Sequence, residues 1–291
     1  MTNTPRRPRC VSPKRTWLNT SADAAFAPRA RESAPWPVLF LGHGSPMNVV
    51  GDNAAARAWA RLGRALGKPR AVLCVSAHWL TRGVFLTGNA RPRTIHDFGG
   101  FPEALYQIQY PAPGDPALAR RTAGLLGLGA GAVTDDWGLD HGAWGVLRGM
   151  YPGADVPVVQ LSLDERRSER AHWDLGRRLG PLRREGVLIV ASGNIVHNLG
   201  RIVWAEDAPV PDWARDFDAA VADAVRAGRG ESLADWRSLT PTAGHAHPHP
   251  TPDHFWPLLY ALALREGDEP VTFPVEGFQN GSISMRAVRF G

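Results

Sequence analysis

Short apolar runs and longer amphipathic stretches alternate along the chain from residue 37 onward. Residues 37–41, 71–76, 156–161 and 187–191 are nearly continuous in β-branched and aliphatic side chains and are bounded by Gly, Pro or polar residues. That pattern predicts buried strands. Between them, 53–66, 116–126, 166–184 and 213–226 place apolar residues at helical spacing. Strands without a polar face, alternating with helices, predict an α/β fold with a mostly parallel central sheet covered by helices on both faces. Residues 84–87 and 283–288 predict additional strands, antiparallel in sense. No internal repeat or Gly/Ser linker interrupts 36–291, so this stretch reads as a single domain, with 240–252, rich in Pro and His, as its longest loop.

Residues 1–35 break the pattern. They are rich in Arg, Pro, Ser, Thr and Ala and show no apolar period, which predicts a disordered basic extension. The 291-residue chain carries a net charge of +5, a hint of nucleic acid. Seven of its 33 basic side chains but only two of its 28 acidic ones fall in residues 1–35, leaving 26 of each sign over 36–291. The excess belongs to the extension, and the neutral remainder argues against a nucleic-acid partner. An Arg-rich, acid-poor segment also has the composition of a transit peptide, although Arg6-Arg7 lacks the apolar stretch of a twin-arginine signal. Two cysteines, Cys10 and Cys74, make neither a disulfide framework nor a Cys-based zinc site, and fit a reducing, cytoplasmic setting. No run approaches the roughly 20 apolar residues that span a bilayer, so no membrane partner is expected.

Candidate chemistry lies in the ten histidines. His43, in Leu41-Gly-His-Gly-Ser-Pro46, follows the first predicted strand; His78, in Ser76-Ala-His-Trp79, follows the second; His197 lies just beyond 187–191. In open α/β sheets, ligands bind in the crevice beyond the carboxyl ends of the strands, so three histidines delivered independently to that edge can converge. His254 falls in the first turn of an apolar helix for which Asp253 is the expected N-cap. His141 is flanked by glycines, and Trp79, Trp137, Trp144 and Trp256 are candidate walls for a flat aromatic ligand. Imidazoles without cysteines suit Zn, Fe, Cu or Ni rather than Ca or Mg. The helical zinc-protease motif, the dinucleotide and P-loop fingerprints and Gly-x-Ser-x-Gly are absent. His245, His247 and His249 read as a solvated loop run.

Seven ordered blocks carry a family resemblance: Gly42-His-Gly-Ser-Pro46, Ser76-Ala-His-Trp79, Thr94-Ile-His-Asp-Phe-Gly-Gly-Phe-Pro102, Tyr110-Pro-Ala-Pro-Gly114, Gly138-Leu-Asp-His-Gly-Ala-Trp144, Pro250-Thr-Pro-Asp-His254 and Gly281-Ser-Ile-Ser-Met-Arg286. Together they resemble the class III extradiol ring-cleavage dioxygenases, in their 4,5-DOPA extradiol branch, from about residue 37 to the C-terminus. The resemblance implies one divalent metal, Fe(II) for oxygen chemistry or Zn(II) as bound, together with a catechol substrate and O2. It implies His43, His78 and His254 as metal ligands and His197 as a fourth ligand or the acid/base group. It implies a catalytic, substrate- or oxygen-contacting role for His141, with Trp79 and Trp144 beside the substrate. The wider class completes its site with a carboxylate where this branch has histidine. An all-imidazole site also suits zinc, so a zinc-dependent hydrolase or a metal-binding non-oxygenase on the same fold is the alternative reading.

Overall fold

The computed structural model describes residues 34–205, 208–239 and 247–291. The predicted basic extension, with Cys10, thus lies almost wholly outside the described residues, as does His245.

Among the described residues the elements run in the order β1 (Val38–Gly42), α1 (Ala54–Leu66), β2 (Ala71–Thr81), β3 (Leu86–Thr87), α2 (Glu103–Tyr106), α3 (Pro116–Leu126), β4 (Val133–Thr134), α4 (His141–Met150), β5 (Val158–Asp164), α5 (Glu169–Arg178), α6 (Gly180–Arg184), β6 (Val187–Gly193), α7 (Asp212–Arg226), α8 (Trp256–Ala263), β7 (Val271–Thr272), β8 (Phe278–Gln279), β9 (Ile283–Ser284) and β10 (Val288–Phe290). Eight strands form one sheet in the order β4-β3-β5-β2-β6-β1-β10-β7, and β8 and β9 form a separate hairpin. The central four, β5-β2-β6-β1, are parallel, while β3, β10 and β7 add antiparallel pairs. The predicted α/β class with a parallel centre and antiparallel additions is what the chain forms.

Alternation along β2 sets the two layers. Leu73 and Val75 face one core with side chains from α3, α5, α6, α7 and α8, while Val72 and Cys74 face the other with α1 and α4. Helix ends follow local chemistry. Asn53 caps α1 by accepting from the Ala56 N–H at 2.9 Å, and Asp115 caps α3 ahead of Pro116, whose missing N–H costs nothing at that position.

Four expectations change. The single helix over 166–184 is two, α5 and α6, because Pro181 in the first turn of α6 cannot donate back to α5. The single strand over 283–288 is divided. Ser284 closes the small hairpin, Arg286 turns aside to bury its guanidinium against Asp218 of α7 (2.6 and 3.0 Å), and the chain re-enters the main sheet at Val288. Asp253 does not cap α8; its carboxylate bonds the Nδ1 of its neighbour His254, and a short 3-10 turn, Pro252–His254, precedes the helix. The loop run is not all solvated either. His249 is buried among Phe217, Trp236 and Phe255 and bonds the Ile195 carbonyl at 2.6 Å, while His247 is exposed.

Register brings the carboxyl ends of β1 and β6 level. Gly42 pairs with Gly193, and Ser76 pairs with Ser192. His43 and His197 therefore leave the sheet level with Ser76, whereas His78 does not follow its strand but lies within β2, which runs on to Thr81.

Candidate active site

Two glycines at that edge permit the crowding the site needs. A Cβ on Gly42 would stand 2.7 Å from the backbone carbonyl carbon of Met285, and one on Gly193 would stand 2.3 Å from the carbonyl oxygen of His254. Real Cβ atoms do not approach that closely, so glycine lets the segments carrying His43 and His254 close over the sheet end. Asp140 places the next histidine. Its side chain accepts from Ser76 Oγ (2.7 Å) and from the Ala143 N–H (3.1 Å), so α4 begins at His141 and points its first side chain into the same space.

Five histidines gather there. The His43 ring lies 5.0 Å from that of His78, 5.5 Å from His141 and 5.2 Å from His254. His78 lies 4.0 Å from His141 and 4.9 Å from His254, and His197 stacks on His254 at 3.4 Å with near-parallel planes. All five line one cleft of about 290 Å³, together with Ser45, Pro46, Asp97, Phe98, Phe101, Leu199, Ile202, Trp204, Asn280 and Ile283. A larger cleft, about 570 Å³, opens between Trp173, Arg226, Arg265 and Phe290, but its lining includes no histidine.

Hydrogen bonds set which nitrogen of each ring is bare. The Ser192 hydroxyl donates to the Gly142 carbonyl at 2.6 Å, so at 3.0 Å it can only accept from His43, whose Nδ1 must carry the proton. Asp97, as a carboxylate, can only accept, and its Oδ2 lies 3.2 Å from His78 Nδ1 and 2.9 Å from His141 Nδ1. Its Oδ1 takes the His141 backbone N–H at 2.8 Å. All three rings thus carry a proton on Nδ1, and in His43 and His78, whose imidazoles burial holds neutral, the bare Nε2 atoms face each other 3.1 Å apart. Asp253 holds His254 Nδ1 in the same way, and His254 Nε2 is buried with no hydrogen-bond partner.

Burial works in the same direction. It drives the His43 and His254 imidazoles well below their ordinary 6.5, with repulsion from the neighbouring histidines adding to it. Burial lowers His78 to about 3 and His197 to about 4. For Asp97, burial pushes the carboxyl up, but its hydrogen bond and charge interactions with His141, then His78, outweigh it and hold the group at about 2. Neutral imidazoles with inward lone pairs around an ionised carboxylate are a donor set for a cation, and the facing lone pairs repel one another without one. Nitrogens of His43, His78 and His141 lie within 4.8 Å of one another and could hold a metal ion.

The aromatic walls are not those expected. Trp79 follows His78 on a strand, so it points to the opposite side, where it is buried and stacks on Trp137 at 5.7 Å. Trp144, one helical turn after His141, is fully buried and donates its Nε1–H to the Ile95 carbonyl at 2.8 Å. Trp256 packs on His172 at 4.5 Å. Phe98, Phe101 and Trp204 line the cleft instead. Asp97, Ser192 and Trp204 were unmarked by sequence reasoning. Asp97 does stand inside a matched block, but nothing local ties it to a histidine 44 residues on.

Residues 38–291 match the family model described as the catalytic LigB subunit of aromatic ring-opening dioxygenase. The chain is 49% identical over 261 residues to a protein of Escherichia coli K12 named 4,5-DOPA dioxygenase extradiol, covering 89% of this chain and 96% of that one. It is 37% identical over 258 residues to a protein of the same name from Beta vulgaris, covering 87% and 95%. A crystal structure of an uncharacterized protein from Escherichia coli K12 superposes with a TM-score of 0.74 at 44% identity, covering 88% of this chain and all of that one.

Proposed function

The chain belongs to the family of the catalytic LigB subunit of aromatic ring-opening dioxygenases, and from that premise we propose that it inserts O2 into the ring of a DOPA-like catechol, by 4,5-cleavage, at the histidine cluster. The observation that carries this reading is the set of inward, unprotonated Nε2 atoms, above all that of His254, which is buried without a partner. An orphaned buried acceptor is costly, and a cation bound to it removes the cost.

His43, His78 and His254 would hold the metal, with Ser192, Asp97 and Asp253 gripping their Nδ1 protons so that each ring keeps its tautomer and orientation. Fe(II) bound there would supply Lewis acidity towards the catechol oxygens and the electron transfer that activates O2, whereas Zn(II) would supply only the Lewis acidity. His197, stacked on His254, would accept a phenolic proton and later return it. His141 faces the cleft, fixed by both oxygens of Asp97, with Phe98 edge-on to it at 5.4 Å, and would contact substrate or oxygen. Phe98, Phe101 and Ile283 line the cleft beside these groups and would limit water there once substrate is bound.

The all-imidazole donor set favours one second reading, a zinc-dependent hydrolase or metal-binding non-oxygenase on this fold. Anaerobic loading with Fe(II), then addition of L-DOPA and air, separates the two. Oxygen uptake with a coloured muconic semialdehyde is the expected result. No uptake across a panel of catechols would overturn the ring-opening reading.

A further inference from the structure

Strand β1 ends at Gly42, and the sheet reaches His43 only through its N–H, which donates to the Gly193 carbonyl at 3.1 Å. Two carboxamides hold the chain that follows. The His43 carbonyl accepts from Asn48 Nδ2 at 2.9 Å, and the Ser45 N–H donates to Gln279 Oε1 at 2.9 Å. The amides also pair with each other. Asn48 Nδ2 donates to Gln279 Oε1 at 3.2 Å, and Gln279 Nε2 donates to Asn48 Oδ1 at 3.0 Å. A main-chain carbonyl can only accept and a main-chain N–H can only donate, so the His43 and Ser45 contacts dictate the orientation of both amides. The reciprocal pair is the arrangement those contacts require. A Cβ on Gly44 would stand 2.6 Å from Gln279 Oε1 and 2.8 Å from Asn48 Nδ2, so the pair closes directly onto the chain between His43 and Ser45.

Gln279 belongs to the β8–β9 hairpin, which also holds the opposite side of the site. Gln279 pairs with Ile283, and Ile283 forms a bridge with His197. On either side of that bridge the Ser284 N–H donates to the Val196 carbonyl at 2.9 Å, and the Asn198 N–H donates to the Ser282 carbonyl at 3.2 Å. The hairpin is anchored from behind. Ser284 Oγ donates to Asp218 Oδ1 at 2.6 Å, and Arg286 grips the other oxygen of the same carboxylate. A braced hairpin therefore stands between the segments that carry His43 and His197. It bonds the His197 segment through its backbone and the loop after His43 through the Gln279 side chain.

Resting on the reading of the histidine cluster as a metal-dependent ring-opening site, we propose that Gln279 is a positioning residue. Through Asn48 and Ser45 it sets where the His43 main chain stands relative to His197 and His254. Ser192 fixes the direction of the His43 ring, and the amide pair fixes the point from which that ring extends. A ligating constellation tolerates only about 0.5 Å of error, so a loop released at Ser45 weakens the convergence of the nitrogens even though every histidine is still present.

Gln279→Met, which keeps the length of the side chain and removes its hydrogen bonds, Asn48→Ala and the double variant test this. Zinc affinity is measured by competition with a chromophoric chelator at a temperature where melts show the metal-free proteins folded, and the visible absorption of the Co(II)-loaded proteins reports the geometry around the metal. Each single variant is expected to bind zinc about tenfold more weakly and to shift the Co(II) bands. Because the two amides act as one unit, the double variant is expected to lose about tenfold as well, not a hundredfold. A residue that serves folding alone would lower the melt and leave the affinity and spectrum of the folded protein unchanged. Zinc affinity within twofold of the parent in Gln279→Met, additive losses in the double variant, or loss of the folded state in both single variants overturns the proposal. The expected metal losses, with no oxygen uptake by the Fe(II)-loaded parent on L-DOPA or any other catechol, would overturn the ring-opening reading and leave Gln279 as a positioning residue of the metal site.

Discussion

Asp97→Asn changes one atom and leaves the volume of the side chain intact, yet the hydrogen-bond logic of the site predicts a large effect. In the native site Oδ2 accepts from two rings and Oδ1 accepts from a backbone N–H, so all three neighbours are donors. An asparagine offers one acceptor and one donor. If its NH2 faces the rings, His78 and His141 must each move the proton to Nε2, the atom that points at the metal position. If its oxygen faces the rings, the NH2 opposes the His141 backbone N–H, which is then unpaired. Stability falls on either path. The hold on Asp97, from an ordinary 3.8 down to about 2, corresponds to about 2 kcal/mol at neutral pH. Metal affinity should drop by about 10- to 100-fold, the usual cost of losing a group that orients a ligating histidine. Competition against a chromophoric chelator measures the affinity, and denaturant melts of the metal-free protein measure the stability. An Asp97→Asn protein that binds metal within twofold of the parent would refute the tautomer argument, whatever its stability.

Ligand identity is separable by metal analysis. His254→Ala should lose bound metal, while His141→Ala should retain most of it and lose turnover; the reverse pattern would put His141 in the ligand set and His254 outside it. Gly42→Ala should cost about 1–3 kcal/mol through overpacking against the Met285 backbone and should also weaken metal binding by displacing His43, with melts and metal titration reading the two effects. His172 is buried beside Tyr260 and Trp256, and burial lowers it to about 4 from 6.5. Its folded form resists a proton that the unfolded chain accepts, so its contribution is full above pH 6.5 and lost as the pH falls towards 4. That contribution is about 3 kcal/mol. His172→Gln should lose correspondingly less stability than the parent between pH 7 and 4.5 in denaturant melts, and identical pH profiles would count against the assignment.

How much of the molecule was legible in its sequence depended on whether a residue's neighbours were local. β1, β2, β5 and β6 announced themselves because a strand buried on both faces needs an unbroken apolar run, and α1, α3 and α7 because each keeps a wet face. Helix α4 was missed for the opposite reason. Seven of its first seven residues are buried, so no polar stripe marks its period, and its glycines at 142, 145 and 149 mimic a loop. The same contrast runs through the site. His43 and His197 could be read because strand ends are visible and a parallel sheet sends them to one edge, while His78 reaches that edge from within β2, which runs on past it. Asp97 could not, because the segment from 88 to 102 has almost no repeating structure and its partner His141 is reached only through the tertiary fold. Trp79 shows how sharp the boundary is. Adjacency to a site histidine suggested a wall, but on a strand adjacency means the opposite face. The residue next in sequence to His78 is therefore among those least able to touch what His78 touches, and the aromatic rim had to come from elsewhere, from Phe98, Phe101 and Trp204.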